Sequence, residues 1–413
     1  MHRLLPPEPR PQSFAPRLSP LWVRLCRPLR KLAQRQVERI HQVELRGLER
    51  LKTAVAAGQG VLITPNHCTY SDPYLLYEAA DQAGTAAYFM TAWQVFGQAS
   101  WLKQYVLQKH GAFTVDRDGT DRQAFRIAVE ILQARREPLV VFPEGEMYHL
   151  GDRVTPFHEG AAAMALSAAR KTDRTIVCLP CGLKYYPLAD PQPQFAALLD
   201  RLEAALHWRP RPDLPLVDRI YRLADGALAL KELEYTGATS ARPLPERLEL
   251  LADHVLCGLE ERYQLSHDGN LPQRVKRVRG HMVRRLGEDD VPAEEVTKLR
   301  RDLDDLFFVV QLFCYPGDYV SGQVSGQPSL TRISDTLDKL EEDILKVPLA
   351  KPRVPRGAIV AFGEPILVDR AAPKKDAASL LTDRLETSVQ ALLDSIQPPQ
   401  PFSPTPTHVE TVL

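Results

Sequence analysis

An imidazole and a carboxylate five residues apart stand out as groups able to do chemistry: His67 and Asp72, in Asn66-His67-Cys68-Thr69-Tyr70-Ser71-Asp72. They follow the apolar run Gly60-Val61-Leu62-Ile63-Thr64, which reads as a short buried strand. On one tight loop at the mouth of a strand the two side chains can meet through a hydrogen bond. The carboxylate then fixes the imidazole's tautomer and raises its basicity, so the other ring nitrogen can take a proton from a hydroxyl. This is a base and its orienter with no serine beside them, and it makes the substrate's own hydroxyl the nucleophile.

Further segments follow in a telling order. Gly111-Ala112-Phe113-Thr114-Val115-Asp116-Arg117 ends a strand-like stretch with a cation. Leu139-Val140-Val141-Phe142-Pro143-Glu144-Gly145 is an apolar run that closes on a carboxylate and a glycine. Phe157-His158-Glu159-Gly160-Ala161 opens an alanine-rich helical run, and Thr175-Ile176-Val177-Cys178-Leu179-Pro180 is another buried-strand candidate. Taken singly, Arg117 is a solvated residue in a charged triplet, Glu144 a turn residue and Pro180 a strand end. In this order and at these separations, residues from about 40 to 186 resemble the four blocks of the PlsC-type glycerolipid acyltransferases. Asn66, His67 and Asp72 match the first block, Arg117 the end of the second, Phe142 to Gly145 the third, and Pro180 the end of the fourth.

The resemblance implies transfer of a fatty acyl group from an acyl thioester to a hydroxyl of a lysophospholipid or glycerol phosphate, lysophosphatidic acid first among them, in phospholipid biosynthesis. It implies His67 and Asp72 as the catalytic pair, with Asn66, Arg117, Glu144, Gly145 and Pro180 binding substrate. Arg117 would hold the acceptor's phosphate. Glu144 would bind acceptor hydroxyls or orient that arginine. Backbone N–H groups near the histidine loop or Gly145 would take the oxyanion. Acyl-CoA or acyl carrier protein brings the acyl group, and neither a cofactor nor a metal is expected. Two departures stand out. Where many relatives continue Glu-Gly-Thr-Arg-Ser, this chain has Glu144-Gly145-Glu146-Met147-Tyr148, which removes an arginine and adds a carboxylate; Arg153 or Lys184 could compensate. The Phe362-Gly363-Glu364-Pro365-Ile366 segment that soon follows the fourth block in compact relatives arrives only after a long excursion.

The two rival readings are a lipid or thioester hydrolase and a lipid-binding module that has lost acceptor recognition. The hydrolase lacks a Gly-x-Ser-x-Gly elbow, since Gly322-Gln323-Val324-Ser325-Gly326 has the wrong spacing.

The chain that must position these groups has 413 residues, 52 basic and 52 acidic, so global charge points to neither nucleic acid nor membrane. No nucleic-acid partner is expected. No run approaches the roughly 18 apolar residues that span a bilayer, and six prolines among residues 1–20 argue against a signal peptide. The expectation is a cytoplasmic protein held peripherally at an anionic membrane surface. Six cysteines in a chain this long do not make a disulfide framework, and Cys178-x-x-Cys181, with no second pair at zinc spacing, reads as buried strand cysteines.

Alternating strand and helix patterns predict an α/β core, a mixed sheet flanked by helices, with a mostly α-helical insertion. Residues 1–19 read as a disordered N-terminus, 20–46 as a basic amphipathic helix that Pro28 kinks or splits, and 47–186 as the acyltransferase core with all four motifs. The insertion covers 187–355, the core returns over 356–396, and 397–413 is a disordered tail. The basic helix carries Trp22, Leu25, Leu29 and Leu32 among Arg24, Arg27, Lys31 and Arg35. It lies on an anionic membrane or packs with a solvated basic face. Strands are expected at Gln42–Leu48, Gly60–Thr64, Leu139–Phe142 and Ile176–Leu183. Helices are expected at Asp72–Ala83, Trp93–Lys109, Thr120–Arg135 (capped by Thr120 or Asp121) and Gly160–Lys171. Six more fill the insertion. Arg274 to Arg285 forms a second basic cluster, read first as a solvated face.

Overall fold

The computed structural model describes residues 12–117, 121–288, 290–320, 329–373 and 375–399. The stretches 1–11 and 400–413, Thr120 and the Gly322–Gly326 segment lie outside them. The chain divides into two compact units, one drawn from 9–189 and 354–400, the other from 190–353.

The first unit runs α1 (Pro20–Leu25), α2 (Arg27–Gln36), β1 (Ile40–Arg46), α3 (Leu48–Ala56), β2 (Gly60–Pro65), α4 (Asp72–Gln82), β3 (Tyr88–Ala92), α5 (Trp93–Gly97), α6 (Trp101–Lys109), β4 (Ala112–Val115), α7 (Arg122–Ala134), β5 (Leu139–Val140), α8 (Gly160–Arg170) and β6 (Ile176–Pro187). After the second unit's α9 (Gln192–Ala205), α10 (Leu216–Thr236), α11 (Leu244–Arg262), α12 (Leu271–Leu286), α13 (Ala293–Phe313) and α14 (Leu330–Leu345), it resumes with β7 (Arg356–Phe362), β8 (Ile366–Leu367) and α15 (Ala377–Ser395). The α/β expectation is met: the strands form one mixed, mostly parallel sheet in the order β1-β7-β6-β2-β5-β3-β4, with β8 on β6.

Every residue of β2 is buried. Its side chains alternate between two apolar layers, Val61 and Ile63 toward α3 and α4, Leu62 toward α7, α8 and α15. β2 lies between β6 and β5, with β3 and β4 beyond, all of them running parallel. The loops after β2, β4 and β5 therefore leave the same edge of the sheet, where ligands bind in open α/β sheets. Those loops carry His67, Arg117 and Glu144.

Several expectations need correction. Residues 12–19 are packed, not disordered: Phe14 stacks on Phe96 with ring centroids 4.9 Å apart, and Arg17 N donates to Gln108 O at 3.0 Å. The 20–46 helix is two helices broken at Cys26, with Pro28 in the first turn of α2, where its missing N–H costs nothing. It stops at Gln36 because Arg39 turns left-handed (φ 51) and Ile40 enters the sheet. Trp93–Lys109 is also two helices, since Ser100 caps a fresh start by accepting from Lys103 N. β3 was not expected at all. Pro180 does not end its strand: β6 continues to Pro187. It pairs β8 at Val177 and Cys178 and β7 from Cys181 onward, so the proline falls between two ladders where no N–H is required.

The second unit is entirely helical among its described residues. Its repeated device is an ion pair across three successive helix hairpins. The fourth residue of α10, α11 and α12 is an arginine, and each reaches back to carboxylates on the preceding helix. Arg219 meets Glu203 at 2.6 Å and Asp200 at 2.7 Å, Arg247 meets Glu232 and Asp225 at 2.9 Å, and Arg274 meets Glu260 and Asp253 at 2.6 Å. The guanidinium forks are buried and paired, which fixes hairpin register more than it adds net stability. The second basic cluster is therefore not a simple solvated face: Arg274 is one of these pins, and Arg285 is tied to Glu295 at 2.7 Å.

Candidate active site

Asp72 opens α4 and is completely buried, while the His67 side chain keeps 23% of its surface. Asp72 Oδ2 accepts from His67 Nδ1 at 2.8 Å, Cys68 N at 2.9 Å and Thr69 N at 3.1 Å. Its Oδ1 accepts from the Tyr185 hydroxyl at 2.9 Å and faces the Cys68 thiol at 3.5 Å. These donors and the start of a helix offset the cost of burying the carboxylate. With Nδ1 donating to Asp72, the proton-accepting nitrogen of His67 is Nε2. The ring stacks on Phe142, centroids 4.2 Å apart, which sets its plane.

The loop is fastened at two further points. Asn66 is fully buried; its Oδ1 accepts from Leu183 N at 2.7 Å and its Nδ2 donates to Leu183 O at 3.1 Å. Both amide atoms hold the loop to β6, so Asn66 anchors the site instead of facing substrate. Glu144, 3% exposed, accepts from His67 N at 2.7 Å on one oxygen and from Thr155 N at 3.0 Å and the Thr155 hydroxyl on the other. Burial pushes its carboxyl up to about 7, against the pull of the Thr155 and His67 hydrogen bonds. Glu144 is thus a strut beneath His67, neither an open acceptor-binding group nor the partner of Arg117. The amides of His67, Cys68 and Thr69 all point at carboxylates, so an oxyanion cannot use them. Gly145 N already donates to Phe142 O at 3.2 Å.

Arg117 does reach the third block. Its Nη1 donates to Gly145 O at 2.6 Å and pairs with Glu146 at 2.8 Å. Its Nε is buried with no hydrogen-bond partner among the described residues. Gly145 must be glycine: its φ is +74, and a Cβ there would meet the His158 ring at 2.8 Å. Lys184 does not compensate for the missing arginine, since it pairs with Asp152 at 2.9 Å and donates to Leu393 O and Ile396 O at 3.2 Å. Pro180 is buried inside β6, where it shapes the strand and has no surface for a substrate.

Tyr185 and Thr155 were not singled out from the sequence. Tyr185 was within reach of strand periodicity, because Leu179, Cys181, Leu183 and Tyr185 share one face of β6 with the apolar layer beneath the histidine loop. Thr155 sits in an irregular stretch that has no such signal. Cys178 and Cys181 are buried strand thiols on opposite faces of the sheet, and burial pushes the Cys178 thiol up to about 12. In the second unit Cys257, Glu260 and His267 bring ligand atoms within 4.8 Å of one another, but Arg274 already donates to Glu260 and to Cys257 Sγ there.

A base-orienter pair after β2, an arginine after β4 and a Phe-Pro-Glu-Gly turn after β5 coincide with what comparison shows. No curated protein matches the chain. Residues 42–184 match the family model described as Acyltransferase, and that segment of the chain is similar to this family.

Proposed function

We propose that the chain moves a fatty acyl group from an acyl thioester, carried by CoA or acyl carrier protein, to a hydroxyl of a lysophospholipid-type acceptor in phospholipid biosynthesis. The observation that carries this is the 2.8 Å contact of His67 Nδ1 with a buried Asp72, which leaves Nε2 as the proton-accepting nitrogen of a part-exposed ring. As the acceptor oxygen attacks the thioester carbon, Nε2 takes its proton. The C–S bond breaks as the tetrahedral intermediate collapses, and the imidazolium returns the proton to the departing thiolate. Purified protein given labelled acyl-CoA or acyl carrier protein with a panel of lysophospholipids and glycerol phosphate tests the reading. Labelled diacyl lipid supports it. Free fatty acid alone identifies a hydrolase, and no turnover identifies a binding module.

Arg117 is the cation for the acceptor's phosphate in this reading, its side chain part-exposed beside the Gly145 turn. Arg117→Ala should raise the acceptor KM about tenfold, roughly 1.4 kcal/mol, with the donor KM little changed. Glu146 competes for the same guanidinium, so Glu146→Gln should lower the KM for a phosphomonoester acceptor. A change confined to the donor KM would mean that the two substrate sites are reversed.

The protein reaches lipid through the outer face of α1 and α2. Among the described residues no helix is long and apolar enough to cross a membrane. Three basic residues of this segment pair with α4, Arg27 and Arg30 with Asp81 and Lys31 with Glu78. Leu21, Leu25 and Leu29 are each about two-thirds exposed. Trp22 meets Tyr105 edge-on, joining this stripe to exposed Trp101 and Leu102 on α6, with Arg24, Arg35 and Lys103 exposed around it. An apolar stripe with a cationic rim suits an anionic bilayer surface. Changing Leu21, Leu25 and Leu29 together to Ser should weaken binding to phosphatidylserine-containing vesicles about 100-fold or more, since each leucine is worth roughly 1.5–3 kcal/mol on burial. Unchanged vesicle sedimentation would remove this face from the account. Turnover of a soluble short-chain acceptor should be retained.

A further inference from the structure

We propose that Tyr185 is a positioning residue for the His67–Asp72 pair, holding Asp72 Oδ1 so that Oδ2 stays aimed at the imidazole. The proposal rests on the acyl-transfer reading above. Asp72 is cut off from water, so protein donors alone stabilise its charge. Oδ2 has three N–H donors. Oδ1 has the Tyr185 hydroxyl at 2.9 Å and a thiol, which is a weak donor. Tyr185 is therefore the main support of one carboxylate oxygen. A tyrosine used only to fill this apolar layer would bury a hydroxyl at a cost that phenylalanine avoids.

The ring is itself held in place. The Arg356 guanidinium lies over it, 4.6 Å from its centroid. Arg356 Nε donates to Glu38 O at 3.1 Å, and its Nη2 donates to Ser71 Oγ, which in turn donates to Glu38. Ser71 is the residue before Asp72. One network thus fixes both the start of α4 and the ring that supports its first carboxylate. Arg356 opens β7, and the antiparallel pairing of Tyr185 with Ala358 sets its register against β6. The strand that returns after the excursion of 190–353 completes the support of the active site.

The groups facing Asp72 are His67 and Cys68 from the loop and Cys181 and Tyr185 from β6, with Arg356 and Glu38 behind Tyr185. Burial and the Asp72 charge hold the Tyr185 phenol well above its ordinary range, so it remains a donor wherever the enzyme works. Removing its hydroxyl leaves a less stabilised carboxylate that binds the imidazolium more tightly. The base is then freed only at higher pH.

The test uses the full-length chain with Tyr185→Phe, and a second variant with 3,5-difluorotyrosine at 185, a stronger donor of nearly the same shape. Tyr185→Phe should lower kcat about tenfold with both KM values nearly unchanged, and should move the acid limb of the kcat/KM profile up by about half a pH unit or more. The difluoro variant should move that limb down. An unmoved limb in a folded variant, or a loss confined to KM, overturns the proposal. If Tyr185→Phe does not fold, the difluoro variant decides. If the wild-type chain transfers no acyl group, the functional reading fails by itself. NMR titration of the His67 imidazole then decides the positioning role: an upward displacement in Tyr185→Phe supports it, and none refutes it.

Discussion

His67→Ala should lower kcat for acyl transfer about a thousandfold or more while the protein stays folded. The variant removes the proton-accepting imidazole and leaves the loop's backbone fastenings in place. Those fastenings run through backbone and neighbours: His67 N to Glu144, Cys68 N and Thr69 N to Asp72, and the Asn66 amide to Leu183. The ring's stacking on Phe142 and its hydrogen bond to Asp72 are lost. Single-turnover transfer of labelled acyl groups, with near-UV circular dichroism to check the fold, measures the effect. Wild-type turnover in a folded His67→Ala protein would end the mechanism.

Asp72→Asn is expected to cost about 10³- to 10⁴-fold in kcat, for a different reason. An asparagine can leave its carbonyl oxygen where Oδ2 now receives three N–H donors and turn its amide toward the Tyr185 oxygen. The loop then keeps its shape and the imidazole keeps an acceptor, but the negative charge is gone. Without it the imidazolium is less stable, the imidazole is a weaker base, and the acid limb of the pH–rate profile moves to lower pH. That is opposite to the displacement expected for Tyr185→Phe, so the two variants check one electrostatic picture from both sides. A slow enzyme whose acid limb is unmoved would mean that Asp72 shapes the loop without tuning the base.

How much of this was legible beforehand follows from what sequence periodicity carries. The central strands could be read because β2, β5 and β6 are short apolar runs bounded by turn residues, and helices such as α7 and α8 show an apolar face and a cap. β3 was missed because Tyr88-Phe89-Met90-Thr91-Ala92 runs straight into Trp93 with no turn residue between strand and helix. The direction of the α1–α2 stripe was misjudged because amphipathicity fixes two faces without saying which one meets the protein. Ion pairs to Asp81 and Glu78 draw Arg27 and Lys31 toward α4 and leave the leucines outside. At the site, the His67–Asp72 contact is local and was legible. The roles of Asn66 and Glu144 were not, because their partners lie 117 residues and up to 77 residues away in the chain. A motif shows that a polar residue matters; only the fold shows whether it touches substrate or braces a residue that does.

The central claim is that the acceptor's own hydroxyl, deprotonated by His67, attacks the thioester directly. The most direct measurement is an initial-rate matrix with acyl donor and acceptor both varied, joined to rapid-quench mass spectrometry of the protein. Direct attack requires both substrates together, so the double-reciprocal lines should intersect and no acylated protein should accumulate. Parallel lines, with an acyl group trapped on Cys68 or Ser71 beside the base, would contradict it.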